Sequence, residues 1–408
     1  MKKVGFVIGL VVVLAGVVLF YPKSDNQKIL VEDNQLNQNT SLSFYIEGED
    51  GSYSKTNTLP STGYTLNTSK SICSNGAIPT WENNRLYFNN LTKNGTSCYL
   101  YFDIKPLAMN SILANKEIKT RDDFSTTITE TTTGVIYKSL DESQYDNDGE
   151  VYYFAGNPQD NWVKFGGYYW RIIRINGNGS IRVIYQGTNA DSAGTGTQIQ
   201  TSAFNPSNNN NMYVGYMYTS GNAHGLGTNS TVKEVLDKWY QNNLASYTDK
   251  IDEDAGFCGD RAPFSGSGIG TTYTEYGAFN RLDTNKNPSF ECTNDSDLFT
   301  ISGSGQGNKS LTYPIGLITA DEVVFAGGVN EVSNSGYYLY TGQDYWTMSP
   351  SFYNSYGYMF VVDFDGLLNN LRYVNYTFGV RPVINLRADV TLTGSGTSTD
   401  PYVVEGAE

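Results

Sequence analysis

The sequence predicts an α+β protein in three parts: one N-terminal transmembrane helix, a small all-β module and a larger mixed domain. Three observations lead to this prediction. The chain of 408 residues begins with an apolar run at 4–20. Short alternating strand patterns, separated by turn residues, follow between 41 and 105. The remainder mixes strand patterns with a clear amphipathic helix at 231–247.

The N-terminal segment favours attachment to the cell membrane. Lys2 and Lys3 precede the apolar run, whose length at ~1.5 Å per residue is about 26 Å, near the short limit for crossing a bilayer. The lysines favour the cytoplasmic side, so we expect the C-terminal domains to be extracellular. A cleaved signal peptide begins in the same way. We predict an uncleaved single-pass anchor at 1–24 that contacts the lipid bilayer, followed by a polar stalk at 25–40.

The four cysteines agree with export from the cytoplasm. The simplest pairing joins Cys73 to Cys98 and Cys258 to Cys292, which keeps each bond within one module. Each loop closure would contribute roughly 3–4 kcal/mol in the chain-entropy model. Two other pairings are possible, and one or both pairs could instead remain as thiols.

Composition argues against several classes of function. The net charge of −14 disfavours nucleic acid as a partner, because a duplex-binding protein presents a basic face. His224 is the one histidine of the chain, which disfavours a multi-histidine zinc site. It lies in a loop-like run, and the chain has no candidate nucleophile elbow. We therefore predict no catalytic residue, no metal site and no cofactor.

Two acidic patterns resemble functional motifs but fit ordinary turns better. Residues 146–150 look like half of a calcium loop but lack the ligand spacing of an EF-hand, so they indicate a surface turn. Asp363 and Asp365 share a strand face, as paired glycosidase carboxylates could. Gly366 follows them directly, which favours the end of a hairpin.

The domain prediction places a small β-sandwich-like module at 41–105, a linker at 106–134 and the large domain at 135–408. A short helix is expected at 107–115. The clearest hairpin is 168–185, which turns at 176–179. The helix at 231–247 can be capped by Ser230 or Thr231. A second helix is expected to begin near Thr319 and to end at Gly327-Gly328.

The segment 345–386 is the candidate recognition surface, because its middle is crowded with Tyr, Asn, Ser and Phe that follow no regular period. A hairpin with its turn at Asp365-Gly366 is expected. Trp346, Val361, Val380 and Ile384 should be buried beneath the surface. The alternative is that these are ordinary Tyr-rich strands. The candidate ligand-binding residues are Tyr345, Tyr353, Asn354, Tyr356, Tyr358, Asn369, Asn370, Tyr373, Asn375 and Tyr376, most of which should face solvent.

Several motifs occur in an order that resembles a known family. They are 170–185, 314–322, 345–350 and 379–382. This order resembles bacterial surface proteins whose C-terminal part has a C-type-lectin-like fold of the formylglycine-generating-enzyme type. In that family an R-L-P-T-E-A-E-W helix precedes a Gly-Gly turn, and the last core strand begins G-F-R. The resemblance covers about 135–390 and implies a C-type-lectin-like domain.

The departures from the family pattern bear on function. Catalytic members use a cysteine pair near the C-terminus, and this chain has no cysteine after Cys292. The motifs of calcium-dependent lectins do not occur either. The resemblance therefore implies a non-catalytic scaffold that displays variable loops, which retroelements diversify in some relatives. We predict a membrane-anchored, adhesin-like protein that binds a protein or glycan. The alternatives are a cell-envelope hydrolase and a structural, pilus-like component.

Overall fold

The computed structural model describes residues 29–30, 40–48, 50–60, 63–82, 85–90, 95–105 and 107–408. The chain divides into two compact units. The first comprises Met1–Leu59 and Leu66–Phe102, and the second comprises Pro60–Thr65 and Asp103–Glu408. The anchor predicted at 1–24 lies outside the described residues, as does most of the stalk predicted at 25–40.

The prediction of an α+β fold class is wrong. Strands dominate the described residues, and the helices are few and short. In the part of the chain that the structure covers, no helix is long and apolar enough to cross a membrane. The isolated helical patterns in the sequence predict more helix than the chain forms. The abundant turn residues instead divide most of the chain into short strands.

The first unit is built from two sheets. One has the order β1-β7-β6, and in the other β2 lies between β3 and β8, with β5 also paired to β8. Trp81 and Phe102 join the two sheets, with ring centroids 5.0 Å apart. Cys73 and Cys98 are cross-strand partners and form the predicted disulfide. The strands in this part of the chain are β1 (Ile29–Leu30), β2 (Thr40–Glu47), β3 (Tyr53–Thr56), β4 (Tyr64–Leu66), β5 (Ile72–Cys73), β6 (Ile78–Glu82), β7 (Arg85–Asn89) and β8 (Thr96–Ile104).

The first sheet of the second unit follows the order β29-β30-β14-β15-β12-β11-β9, and β16 pairs with β15 and β28. The predicted hairpin at 168–185 is confirmed as the β15–β16 pair. The strands in this part of the chain are β9 (Glu117–Thr120), β10 (Thr131–Thr132), β11 (Val135–Lys138), β12 (Tyr152–Tyr153), β13 (Asn157–Pro158), β14 (Trp162–Phe165), β15 (Tyr168–Ile175), β16 (Ile181–Gly187), β28 (Val383–Leu386), β29 (Leu392–Thr393) and β30 (Tyr402–Val404).

The stretch predicted as a linker, 106–134, belongs to the second unit. Its strand β9 runs parallel to β11, with Ile118 beside Ile136. Ile112 in the helix that precedes β9 is fully buried. These residues read as a linker because the run at 125–133 is rich in threonine, but Thr131 and Thr132 pair with the strand β13.

The second sheet of this unit carries the candidate surface. Its order is β17-β27-β24-β22-β21, with β25 between β24 and β26. Its strands and the remaining short ones are β17 (Gln200–Ala203), β18 (Met217–Tyr218), β19 (Thr228–Asn229), β20 (Phe257–Cys258), β21 (Pro263–Ser265), β22 (Thr274–Tyr276), β23 (Leu298–Phe299), β24 (Tyr345–Tyr353), β25 (Gly357–Val362), β26 (Leu368–Tyr373) and β27 (Thr377–Val380).

The three predicted helices are present as α1 (Ala108–Leu113), α2 (Thr231–Asn243) and α4 (Ala320–Phe325). The three-residue helix α3 (Gly277–Phe279) lies in a stretch for which the sequence predicted only loops. Ser230 caps α2, because its hydroxyl accepts a hydrogen bond from the backbone N–H of Lys233. At α4, Thr319 and Glu322 form the reciprocal capping box.

Glu322 also lies at the centre of a buried ion-pair cluster. Its Oε1 is 3.0 Å from Nε of Arg174 and 2.5 Å from Nε of Arg182. Burial raises the pKa of Glu322, but Arg182 and Arg174 outweigh it, so the pKa is lowered overall and the carboxylate stays charged. Nearby, Cys258 and Cys292 form the second predicted disulfide. Both disulfide predictions are therefore confirmed.

Candidate functional site

Aromatic side chains form a continuous row across three neighbouring strands. Phe352 of β24 stacks on Tyr358 of β25, with ring centroids 4.4 Å apart. Tyr358 is the cross-strand partner of Tyr373 in β26, and their ring centroids are 4.8 Å apart. Side chains of paired residues lie on the same face of a sheet. The three rings therefore occupy one face in strand order.

The row continues in both directions from these three rings. Tyr373 contacts Tyr356 at 5.3 Å and Tyr376 at 5.1 Å between centroids. Offset and edge-to-face packing of this kind fixes the rings relative to one another. We call the whole row the aromatic stripe, and its members are Phe279, Phe352, Tyr356, Tyr358, Tyr373, Tyr376 and Phe378.

The stripe is open to solvent along its length. Tyr356 and Tyr376 are each 46% exposed, and the other five rings are half-buried. The hydroxyl of Tyr358 donates to the hydroxyl of Tyr373 at 3.3 Å. Burial and this hydrogen bond raise the pKa of Tyr358 to about 12, so its hydroxyl is neutral at physiological pH. The stripe thus presents phenol hydroxyls and ring surface to a ligand.

The apolar residues expected beneath the surface are in place. Trp346, Val361, Val380 and Ile384 are fully buried, which confirms their predicted role as framework. Trp346 donates from its indole nitrogen to the carbonyl of Ser202 at 2.8 Å. Its ring also contacts Phe378 at 4.9 Å, so one end of the stripe rests directly on the core.

The predicted site residues divide into three groups by exposure. Asn354, Tyr356, Asn375 and Tyr376 are exposed. A second group is half-buried and consists of Tyr358, Asn369 and Tyr373. The third group is buried and consists of Tyr345, Tyr353 and Asn370.

For Tyr353 and Asn370 the prediction of a solvent-facing side chain is wrong. Successive side chains in a strand point to opposite faces. Phe352 lies on the outer face, so Tyr353, which directly follows it, points inward. Asn370 is 3% exposed and lies where the pairing of β25 with β26 shifts register, so simple alternation does not fix its direction. The structure therefore brings seven of the ten predicted residues to the surface side and leaves these two and Tyr345 in the interior.

Tyr345 is enclosed by groups that hold its side chain in the interior. Its hydroxyl donates to the carbonyl of Leu339 at 2.8 Å, and the guanidinium of Arg381 lies 4.7 Å from its ring centroid. Burial raises the pKa of Tyr345 to about 12. A ring that is enclosed and hydrogen-bonded in this way is not placed to contact a ligand.

Sequence reasoning missed three members of the stripe: Phe279, Phe352 and Phe378. Strand alternation was the signal that could have found Phe352, because it places this residue on the face of β24 opposite to that of Tyr353. Phe279 comes from α3, far away in sequence, and its ring centroid lies 5.6 Å from that of Phe352.

Sequence reasoning also missed Glu275, the cross-strand neighbour of Phe352. Its carboxylate accepts a hydrogen bond from the hydroxyl of Tyr273 at 2.7 Å.

Tight turns set the two hairpins that carry the stripe. Between β24 and β25, Ser355 has a positive φ of 62°, and the backbone N–H of Asn354 donates to the carbonyl of Tyr356. Between β25 and β26, the predicted turn at Asp365-Gly366 is confirmed, and Gly366 has a φ of +83°. A Cβ at Gly366 would overlap the carbonyl oxygen of Asn334, so only glycine fits there.

The carboxylates near the stripe are engaged in structural contacts. Asp363 is buried and pairs with Arg372, with Nε to Oδ1 at 3.1 Å and Nη2 to Oδ2 at 2.5 Å. Asn369 donates to the same carboxylate at 2.9 Å. Asp365 accepts a hydrogen bond from the hydroxyl of Ser333. Such contacts favour the interpretation of both residues as hairpin supports.

His224 takes part in a hydrogen-bonded network that the sequence did not predict. Its Nδ1 is 2.9 Å from Oδ2 of Asp297, and Asp297 is itself held by Arg261. The side-chain oxygen of Asn294 accepts from the N–H of Ser296, so its amide nitrogen donates to His224 Nε2 at 3.3 Å. Nδ1 therefore carries the proton that bonds Asp297. Nε2, the nitrogen that a general base would use to accept a proton, already accepts the hydrogen bond from Asn294.

The acidic run at 146–150 forms a turn, as predicted. Oδ1 of Asp146 accepts from the backbone N–H groups of Asp148 and Gly149, and Oδ2 accepts from Gly177 and Arg174. The carboxylate is thus fully used by the protein. Across the described ranges, no group of three or more His, Cys, Asp or Glu side chains is placed to hold a metal ion.

Comparison with known proteins gives no further guide to this surface. No protein-family model, curated protein or solved structure matches the chain.

Proposed function

We propose that this chain is a non-enzymatic, adhesin-like protein that binds a protein or glycan ligand through the aromatic stripe. The observation that carries the proposal is the continuous row of half-exposed rings across β24, β25 and β26. A few aromatic side chains supply most of the energy at typical interfaces. Rings that are already packed on one another lose little freedom on binding, which favours affinity.

The surroundings of the stripe also support recognition over catalysis. Asp363 forms an ion pair with Arg372, and Glu275, the cross-strand neighbour of Phe352, accepts a hydrogen bond from Tyr273. Elsewhere in the second unit, both imidazole nitrogens of His224 take part in hydrogen bonds. Exposed amides at Asn354 and Asn375 border the rings and can donate and accept hydrogen bonds. A surface of phenol rings and amides suits binding without chemical change.

An extracellular location is part of the proposal. The two disulfides support it, because such bonds persist mainly in oxidising compartments. Attachment to the bilayer through residues 1–24 stays a prediction. The resemblance of the motif order to non-catalytic bacterial surface proteins also stays a prediction, and it agrees with a role in ligand display.

A binding screen against glycans and purified surface proteins would test the proposal. The informative variant is Tyr356→Ala combined with Tyr376→Ala, because both rings are exposed and their loss leaves the core intact. We expect it to weaken binding at least about thirtyfold, which corresponds to the loss of one interface hot spot of about 2 kcal/mol. Its melting temperature should match that of the unaltered protein.

Tyr99→Ala is the matched control, since Tyr99 is 53% exposed but belongs to the first unit. It should bind like the unaltered protein. Equal affinity in the double variant, or an equal loss in the control, would contradict recognition by the stripe.

A further inference from the structure

A groove of about 370 Å³ runs along α2 in the second unit. This volume is within the range of small-ligand sites, about 300–1,000 Å³. None of the seven residues of the aromatic stripe lines it. Its lining residues are Gln200, Thr231, Glu234, Val235, Lys238, Trp239, Asn242 and Asn243.

Residues of one helix, α2, supply most of the lining of the groove. Thr231, Val235, Trp239 and Asn242 follow one another at helical spacing along α2. From the first to the last of these residues the wall is about 16 Å long at ~1.5 Å per residue. Gln200 of β17 also lines the groove. A groove of this length accommodates a short chain of units along the helix.

Trp239 gives the groove a rigid aromatic wall. Its ring packs against Tyr168, Tyr185 and Trp170, at centroid distances of 5.4, 5.7 and 6.2 Å. The hydroxyl of Tyr168 donates to Oδ1 of Asn243 at 2.6 Å, and Nδ2 of Asn243 donates to the carbonyl of Trp239 at 2.7 Å. The indole is therefore held in place before any ligand binds, which lowers the entropic cost of binding.

The polar groups of the groove are mainly uncharged. The exposed amides of Gln200 and Asn242 each offer a donor and an acceptor, and Thr231 offers a hydroxyl. Glu234 and Lys238 carry opposite charges, so the lining as a whole has no net charge. Strongly anionic or cationic ligands therefore gain little electrostatic attraction here.

We propose that the α2 groove binds a neutral oligosaccharide. A sugar ring has an apolar C–H face that can lie on the fixed indole of Trp239, and hydroxyls that pair with amides and a hydroxyl. An apolar ligand would leave the amides of Gln200 and Asn242 without partners, which is costly. The groove's length matches a chain of sugar units. This site is separate from the stripe and does not depend on the function proposed for it.

The test uses the full chain and a panel of neutral oligosaccharides derived from glucan, chitin, mannan and xylan, from di- to hexasaccharide. Binding is measured by calorimetry and by tryptophan fluorescence. We expect at least one series to bind, more tightly with increasing length. Gln200→Ala and Asn242→Ala should each weaken binding about fivefold, as expected for one lost hydrogen bond. Both side chains are exposed, so these variants should fold normally.

Gln241→Ala is the matched control, because Gln241 is exposed beside Asn242 but does not line the groove. It should leave the affinity unchanged. The proposal is overturned if no neutral oligosaccharide binds, if an acidic one such as oligogalacturonate binds more tightly, or if neither groove variant weakens binding. Loss of sugar binding in the Tyr356→Ala/Tyr376→Ala variant alone would assign the sugar to the stripe, which rejects the groove site while supporting the proposed function.

Discussion

Phe352 and Tyr353 are neighbours in β24, yet one ring stacks on Tyr358 at the surface and the other is 1% exposed in the interior. The two residues therefore have separable roles, although both are aromatic and adjacent. Stability should depend on Tyr353, and ligand contact should depend on Phe352 and the rings beside it.

Replacement of Tyr353 should lower the free energy of unfolding far more than replacement of Tyr356. Tyr353→Ala removes a buried ring and should lower the free energy of unfolding by about 3 kcal/mol or more. Tyr356→Ala removes a ring that is 46% exposed and should change it by within about 0.5 kcal/mol. Urea denaturation of both variants gives the comparison. Equal losses would show that the exposed tyrosines are part of the core.

Removal of the charge of Glu322 should strongly destabilise the second unit. Glu322→Gln leaves Arg182 buried without its carboxylate partner. It also removes one of the two carboxylates that pair with Arg174. Loss of one partner of a buried ion pair costs about 3–5 kcal/mol. Glu150→Gln breaks the more exposed pair with Lys138 and should cost less than about 1 kcal/mol. Chemical denaturation of the two variants measures the difference, and a mild effect of Glu322→Gln would contradict the structural role of the cluster.

Stability should fall as pH rises through the pKa of Asp260. Burial, opposed by Arg281 and reinforced by Asp321, raises the pKa of Asp260 from 3.8 to about 6. The folded state then binds a proton that the unfolded state has released, so the stabilising contribution is fully present below pH 3.8 and is lost as pH rises through about 6.

Asp260→Asn tests this linkage, since it removes the titrating carboxyl group. Between pH 3.8 and 6, the unfolding free energy of the unaltered protein should decline relative to that of the variant. Asp191→Asn, at an exposed position, should keep the slope of the unaltered protein. Parallel pH profiles for the unaltered protein and Asp260→Asn would rule out the linkage.

Gly366→Ala should disrupt the β25–β26 hairpin. Alanine at this position would be strained by the backbone φ of +83°, and its Cβ would overlap the carbonyl of Asn334. Gly270→Ala is the matched control, because its φ is +62° and no atom lies within 4 Å of the added Cβ. The control should cost about 1 kcal/mol for the backbone conformation alone. Gly366→Ala should cost about 2 kcal/mol more because of the overlap, as measured by thermal unfolding. Similar losses would mean that the hairpin tolerates a side chain at its turn.

Local signals allowed the sequence to predict many individual elements. The cap at Ser230, the capping box at Thr319 and the hairpin at 168–185 each depend on residues close in sequence. The two disulfides match the simplest of the possible pairings, in which each bond joins cysteines within one unit. Their agreement with the structure shows that short-range rules hold in this chain.

The composition of the surface was harder to predict, because it depends on strand register and on distant parts of the chain. The β24–β25 pairing shifts register between Trp346 and Pro350 and again before Tyr353. Such irregularities change which side chains face outward, so the inward position of Tyr353 could not be read from a simple list of aromatic residues. The contact of Phe279 with Phe352 depends on tertiary packing that sequence spacing does not encode.

Six of the seven rings of the stripe lie within residues 352–378, and the partners of most of these rings belong to the same stretch. The framework residues Trp346 and Val380 lie just outside it. Within the same stretch, Val361 and Leu368 pack in the interior. The rings contact mainly one another on the outer side, so a change of one half-exposed ring leaves the packing of these core residues in place. The outer side can therefore change its ring composition at little cost to the scaffold.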